Sequence, residues 1–499
     1  MSLRRNLIAN YAGQLYVTTA GIVLVPLYIR YMGAEAYGLV GFFAMLQAWF
    51  NLLDMGLTPT MARETARFHG GALDVMGYRR LVRALEGVFL AVALCGGLSL
   101  FMGAGWVANR WLKVDQLPIA EIGISLRLMA VIVALRWMCG LYRGAITGAE
   151  RLVWLSGFNS AVATLRFVLI IPVLIFVSAS PVSFFGFQLA VAVVEIAGLM
   201  WMTYRLLPAI PSGQRIRWEW APLKPVLMFS LSIAFTSSVW VLVTQTDKLV
   251  LSRLLPLSDY GYFTVAVLVA SGIVIMSGPV SGAIMPRMTR LQTEGQHKQL
   301  IDVYRLCTQL VTVISMPIAL VLALFSRQVL WAWTGDDALA EKAAPILTLY
   351  AAGYGVLSVS AFPYYLQYAK GDLRLHLVGN ALFVVVLIPS VIWAASYHGA
   401  IGAGWAWFLS NLAYLLLWTP LVHRRFAPRL HLHWLFGDIF RPTLLALAGA
   451  IVGTALVTWA KTRIILVLEL MAATTVLWML ACFQAGSLKR IILERLRMW

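Results

Sequence analysis

Residues 122–146 read IGISLRLMAVIVALRWMCGLYRGAI, an apolar run broken by arginines and by no acid. A helix needs about 20 mostly apolar residues to cross a bilayer, so this stretch has spanning length. Charged groups inside a span are costly and face a partner or a wet cavity. Arg136 and Arg143 lie seven residues apart, nearly two helical turns, and so project from one face roughly 10 Å apart. Arg127 faces nearly the opposite way, towards an interface. Arg166, in the next apolar run, can join the first two. Guanidinium forks match phosphate oxygens, so such a cluster suits a diphosphate. A structural Arg–Glu pair is the alternative reading of the same residues.

The rest of the chain has the same character. Of 499 residues, 61% are hydrophobic and 12% charged, and the mean hydropathy is +0.81. Apolar runs of spanning length recur about fourteen times, among them 7–29, 37–57, 84–107, 375–396, 400–422, 441–460 and 464–484. No segment is long enough for a separate soluble domain. The net charge of +18 sits in the connections between runs, which orients a membrane protein and argues against nucleic acid as partner. Placing both termini in the cytoplasm puts Lys and Arg inside by about three to one. Arg4 and Arg5 precede the first run without a cleavage site. The four cysteines are isolated in apolar segments and read as small buried hydrophobes. The basic connection 58–83 is expected to extend the second span and then run along the membrane surface. The connection 327–343, with Asp336, Asp337 and Glu341, is the longest one expected outside.

Further polar residues interrupt the spans. Gln245, Asp247 and Lys248 lie together in the seventh, where Asp247 is a candidate coupling site for a proton or sodium ion, or half of an ion pair. Asp54, Glu86 and Glu195 are candidates for the same two roles. Asn6, Asn10 and Gln14 recur at spacing four, the pattern of a cavity wall. There is no phosphate-binding P-loop, H-E-x-x-H, G-x-S-x-G or C-x-x-C, so no metal, cofactor or catalytic residue is implied. His431-x-His433 reads as surface. Energy would come from an ion gradient, the membrane potential or the substrate gradient.

Residues 1–70 also echo residues 224–293: Tyr37-Gly38 falls on Tyr260-Gly261, Arg30 on Arg253 and Arg67 on Arg290. Both units start from the same side, which defines a parallel repeat of six spans. The expected organisation is residues 1–218 as one lobe, 219–428 as a second, and 429–499 as two extra spans with a basic tail.

Several stretches carry a resemblance: Asn6 to Gly13, Tyr31-Met32-Gly33 through Tyr37-Gly38, Gly56-Leu57, Gly148-Ala149-Glu150-Arg151, Thr246-Asp247-Lys248-Leu249 and Asp259-Tyr260-Gly261-Tyr262. In that order and spacing they resemble the polysaccharide-unit (O-antigen, Wzx-type) flippases of the multidrug/oligosaccharidyl-lipid/polysaccharide exporter superfamily. The resemblance implies an all-α membrane protein of two six-helix lobes in a V, plus two C-terminal helices. It implies an inner-membrane flippase for undecaprenyl-diphosphate-linked glycan, working by alternating access beside polysaccharide polymerase partners. Arg136, Arg143, Arg166 and Lys248 would be its cavity cations. Related peptidoglycan-precursor flippases carry a cavity arginine in the eighth span; here Arg287 lies beyond that span. A multidrug exporter of the same superfamily and a polysaccharide polymerase or ligase are the alternatives.

Overall fold

The computed structural model describes residues 3–209, 219–220, 223–456 and 462–486. The basic tail expected after the last span lies outside them. Among the described residues the chain is helical, with no β-strand. It divides into two compact units, Met1–Gly261 and Tyr262–Trp499.

The first unit opens with α1 (Leu3–Val23) and α2 (Val25–Phe50), α2 being broken at Gly33, whose φ is +84°. That break separates the first two expected spans. A short turn, Asn51–Asp54, leads to left-handed Met55 (φ +45°) and Gly56 (φ +75°). Two successive left-handed residues cannot continue a helix. The stretch after Gly56 is therefore a separate helix, α3 (Leu57–His69), and not the extension of span two expected from the sequence. Asp74 caps α4 (Val75–Trp106), accepting from the Gly77 amide, so residues 75–83 begin the third spanning helix.

Next come α5 (Ile119–Gly148), α6 (Leu152–Ala163), a π-turn at Thr164–Val168, α7 (Ile170–Phe176), α8 (Pro181–Leu206) and α9 (Leu223–Leu254). α5 packs along α4 on one side and α8 on another, and it receives α3 in a groove of small residues. A Cβ on Gly144 would fall 2.6 Å from the Thr58 carbonyl oxygen, so α3 seats only because that position is bare.

At one end of this unit, Glu35 accepts from the backbone amides of Asp115, Gln116 and Leu117 at 2.7–3.2 Å. Lys113 reaches the Leu254 carbonyl at 2.8 Å, and Trp111 donates to Ser252 at 3.0 Å. Gly38 there abuts the Leu257 carbonyl, and Gly261 abuts the Ala34 carbonyl. The two contacts are one relation read twice, because each glycine meets the residue four before its repeat partner.

The second unit holds most of α10 (Leu257–Thr293), then α11 (His297–Leu324), α12 (Ser326–Thr334), α13 (Asp337–Ser360) and α14 (Phe362–Ala369). The connection expected to be long around 327–343 is mostly helical. Gly335 (φ +73°) closes α12, and Asp336 caps α13 through the Leu339 amide at 3.0 Å. α15 (Arg374–Ala413) turns back at Gly399 (φ +56°), between the two spans expected there. A π-turn (Tyr414–Trp418), α16 (Thr419–Phe426), α17 (Leu430–Leu432), a π-helical segment (His433–Phe440), α18 (Arg441–Leu456) and α19 (Arg463–Gln484) complete it.

Eleven stretches among the described residues are long and apolar enough to cross a membrane. Arg374–Phe426, at 53 residues, contains two of the expected spans. Two of the expected spans, 7–29 and 226–251, fall on α1 with the start of α2 and on α9, and neither α1 nor α9 is among the eleven. The chain is a multi-pass helical membrane protein.

Candidate functional site

α5 and α8 run parallel, as helices separated by a single intervening span must. Their faces meet in a repeated register. Arg136 Nη2 donates to Gln188 Oε1 at 2.9 Å, and seven residues on, Arg143 Nη2 donates to Glu195 Oε1 at 2.5 Å. Arg166 arrives from the π-turn between α6 and α7 and donates to Glu195 Oε2 at 2.9 Å. A π-turn inserts one residue into the helix and re-aims the side chains after it. The Arg166 carbonyl, in turn, accepts from Gln188 Nε2 at 3.0 Å. Arg136 Nε lies 3.9 Å from Glu195 Oε2, too far for a hydrogen bond but close enough for ionic attraction.

Three guanidiniums thus share one carboxylate, leaving an excess of two positive charges. Glu195 is 3% exposed and Arg136 9%, whereas Arg143 and Arg166 keep 34% and 23% of their side-chain surface open. Neither Arg136 Nε nor Arg166 Nε has a hydrogen-bond acceptor among the described residues. Arg136 also stands over the Phe43 ring, 5.3 Å from its centroid. The ion-pair reading describes this cluster: the carboxylate pins the arginines, and Arg143 and Arg166 keep part of their surface open. Arg127 stays apart, over the Phe101 ring at 5.8 Å.

The other candidates sit elsewhere. Glu86 is held by Tyr204 at 2.7 Å, Tyr142 at 3.3 Å and Arg83 at 3.3 Å. Asp54 accepts from the Thr58 hydroxyl at 2.6 Å and its amide at 3.2 Å, so it caps α3. Asp247 is buried; it accepts from the Lys248 amide at 2.8 Å, and Lys248 Nζ lies 3.5 Å from it while also bonding the Thr244 carbonyl. Lys248 thus meets its own neighbour, which the angular separation on the helix did not require. Gln245 reaches Thr244 Oγ1 at 3.4 Å. Asn10 and Gln14 lie on α1, which packs against α6; Asn10 is exposed, and the Asn6 side chain is outside the described set.

Sequence reasoning missed Gln188. Its signal was present, since it precedes Glu195 by the same seven residues that separate Arg136 from Arg143. It also misread His431, which bonds buried His423 at 3.0 Å, while His423 bonds Tyr304 at 2.7 Å. In the second unit, a groove of about 720 Å³ between α10, α11, α12 and α19 is walled by apolar residues such as Pro317, Val321, Trp333, Leu470 and Trp478.

The fold is that of a helical membrane bundle with a cationic cluster in its first unit. The profile of the polysaccharide biosynthesis protein family matches residues 3–292, and that of the MatE family residues 232–393. The chain belongs to the polysaccharide biosynthesis protein family, within the multidrug/oligosaccharidyl-lipid/polysaccharide exporter superfamily. It is 20% identical over 430 residues to a candidate O-antigen transporter of Shigella flexneri, covering 84% of this chain and 97% of that one. Its fold is similar to that of the lipid II flippase MurJ in an inward closed conformation (TM-score 0.73, 11% identity, 95% and 98% of the two chains). It is also similar to an inward-facing multidrug MATE transporter (TM-score 0.67, 12% identity, 81% and 94%).

Proposed function

We propose that this protein flips an undecaprenyl-diphosphate-linked oligosaccharide from the cytoplasmic to the periplasmic leaflet of the inner membrane. The reading has alternating access, both termini in the cytoplasm, and a polysaccharide polymerase as the next partner. The observation that carries it is the excess of two guanidinium charges around Glu195, with Arg143 and Arg166 partly open. A carboxylate holding three arginines stands in for an anion. An arriving diphosphate accepts from the free donors of Arg143 and Arg166, and Glu195 keeps the guanidiniums aimed before it arrives. Glu195 also limits how tightly the diphosphate binds, which favours release on the far side. The apolar groove beside α19 has the chemistry of a polyprenyl chain. Asp247, buried beside Lys248, is the candidate for ion coupling.

A deletion strain tests this. Lipid-linked units should accumulate facing the cytoplasm and surface polysaccharide should vanish. Wild type should restore both, and Arg143→Ala should not, at equal expression. Units that reach the periplasm normally but stay unpolymerised would overturn the reading in favour of a polymerase or ligase. The MatE match over 232–393 favours a second reading, export of small molecules. Drug sensitivity of the deletion strain with intact surface polysaccharide would select it.

A further inference from the structure

The second unit has a cavity unconnected with this reading. It measures about 410 Å³, within the range of small-ligand sites, roughly 300–1,000 Å³. It opens where α11 begins and where the α14–α15 and α16–α17 connections meet, so it lies at the ends of spanning helices. Arg305, Lys370, Arg429, His297 and His433 line it, and no carboxylate does.

Two of these cations, Arg305 and Lys370, are each anchored by a partner that does not line the cavity with an acid. Arg305 grips Asp438 through Nε at 2.7 Å and Nη2 at 3.0 Å, and that pair leaves Nη1 unused. Asp438 is fully buried and also accepts from Gln309 at 2.6 Å, so the fork has a fixed orientation. Lys370 gives one of its three donors to the Phe426 carbonyl at 2.6 Å, which ties the 426–429 turn to α14. Arg429 comes after Pro428 in that turn with φ +68° and ψ 0°, a left-handed conformation that a non-glycine residue adopts against a steric penalty. The turn therefore carries strain to place an arginine at the cavity, and strain of this kind clusters at ligand sites. The nearby acids are Asp302, beside Arg305 on α11, and Asp372, which is held by Arg425 at 2.7 Å.

We propose that this cavity binds a phosphate group, carried by an anionic lipid headgroup or free in solution. The Arg429 guanidinium, the two remaining donors of Lys370 and the spare Nη1 of Arg305, which Asp438 holds in one orientation, match a phosphate's oxygens. Basic pockets between spanning helices at one membrane face are where lipid headgroups lodge.

The test uses the purified full chain in detergent, with inorganic phosphate as one probe and phosphatidylglycerol, against phosphatidylcholine, as the other. Lipid retention is read by native mass spectrometry and stabilisation by the thermal midpoint. Arg429→Asn keeps a residue that tolerates the left-handed turn and removes the charge; Arg429→Lys restores the charge. Wild type should bind a phosphate probe, Arg429→Asn about tenfold more weakly, and Arg429→Lys close to wild type. Retention of phosphatidylglycerol but not phosphatidylcholine assigns the site to lipid, whereas stabilisation by inorganic phosphate alone assigns it to the free anion. Arg205→Ala, which removes an exposed cation of the other unit outside the Glu195 cluster, should leave the signal intact. The proposal is overturned if Arg429→Asn binds both probes as wild type does, or if Arg205→Ala weakens the signal as much as Arg429→Asn. Neither result touches the flippase reading.

Discussion

Arg143 donates to Glu195 across 2.5 Å at the register step where, one heptad earlier, Arg136 donates to Gln188. Two parallel helices thus offer matched pairs seven residues apart, and a third guanidinium closes the carboxylate from the side. A lone buried charge in such a place is strongly destabilising, so the cluster stands or falls as a unit.

Glu195→Gln should therefore destabilise the protein by about 3–5 kcal/mol, since it leaves three guanidiniums without a counterion. The check is the thermal midpoint in detergent. Adding Arg166→Gln to that variant should recover part of the loss, because the two residues share one interaction. An unchanged midpoint in the single variant would mean that the carboxylate does not hold the cluster.

Arg143→Lys should keep the fold and still lose transport, by about tenfold in surface polysaccharide. A lysine retains the charge but gives up the fork that meets two oxygens at once, a difference worth about 1–2 kcal/mol. Full complementation by Lys would show that charge alone is needed there.

Asp54→Ala should cost about 1 kcal/mol of stability, and Asp54→Asn close to nothing, because Asn serves the same cap of α3. Whatever ion dependence transport shows in wild type should be unchanged in both variants. Loss of that dependence in Asp54→Asn, with stability intact, would reassign Asp54 to coupling.

Gly38→Ala and Gly261→Ala should lower stability by similar amounts, about 1–3 kcal/mol each. Each added methyl meets a carbonyl oxygen at an equivalent place, Leu257 for one and Ala34 for the other. Gly105→Ala on α4, where a Cβ meets nothing, is the control. A large effect at only one of the two positions would break the equivalence expected of the repeat.

Much of this protein was legible in the chain itself. Long apolar runs forced helices, because backbone polar groups in lipid must be satisfied within the segment. Arg136 and Arg143 were placed on one face by helical geometry alone, and the equivalence of Tyr37-Gly38 with Tyr260-Gly261 was visible as a repeat. What tertiary structure decided was partnership. That Glu195 would serve three arginines, that Asp54 would be a cap, and that Glu86 would bond two tyrosines depended on which helices became neighbours. Periodicity fixes the face of a helix, not what meets it. The breaks at Met55-Gly56 and the π-turn at Thr164–Val168 were equally hidden, since single-residue shifts leave the apolar pattern unchanged while turning every later side chain. Those shifts, and the packing that offsets them, carry Arg166 onto Glu195 and turn scattered charges into a site.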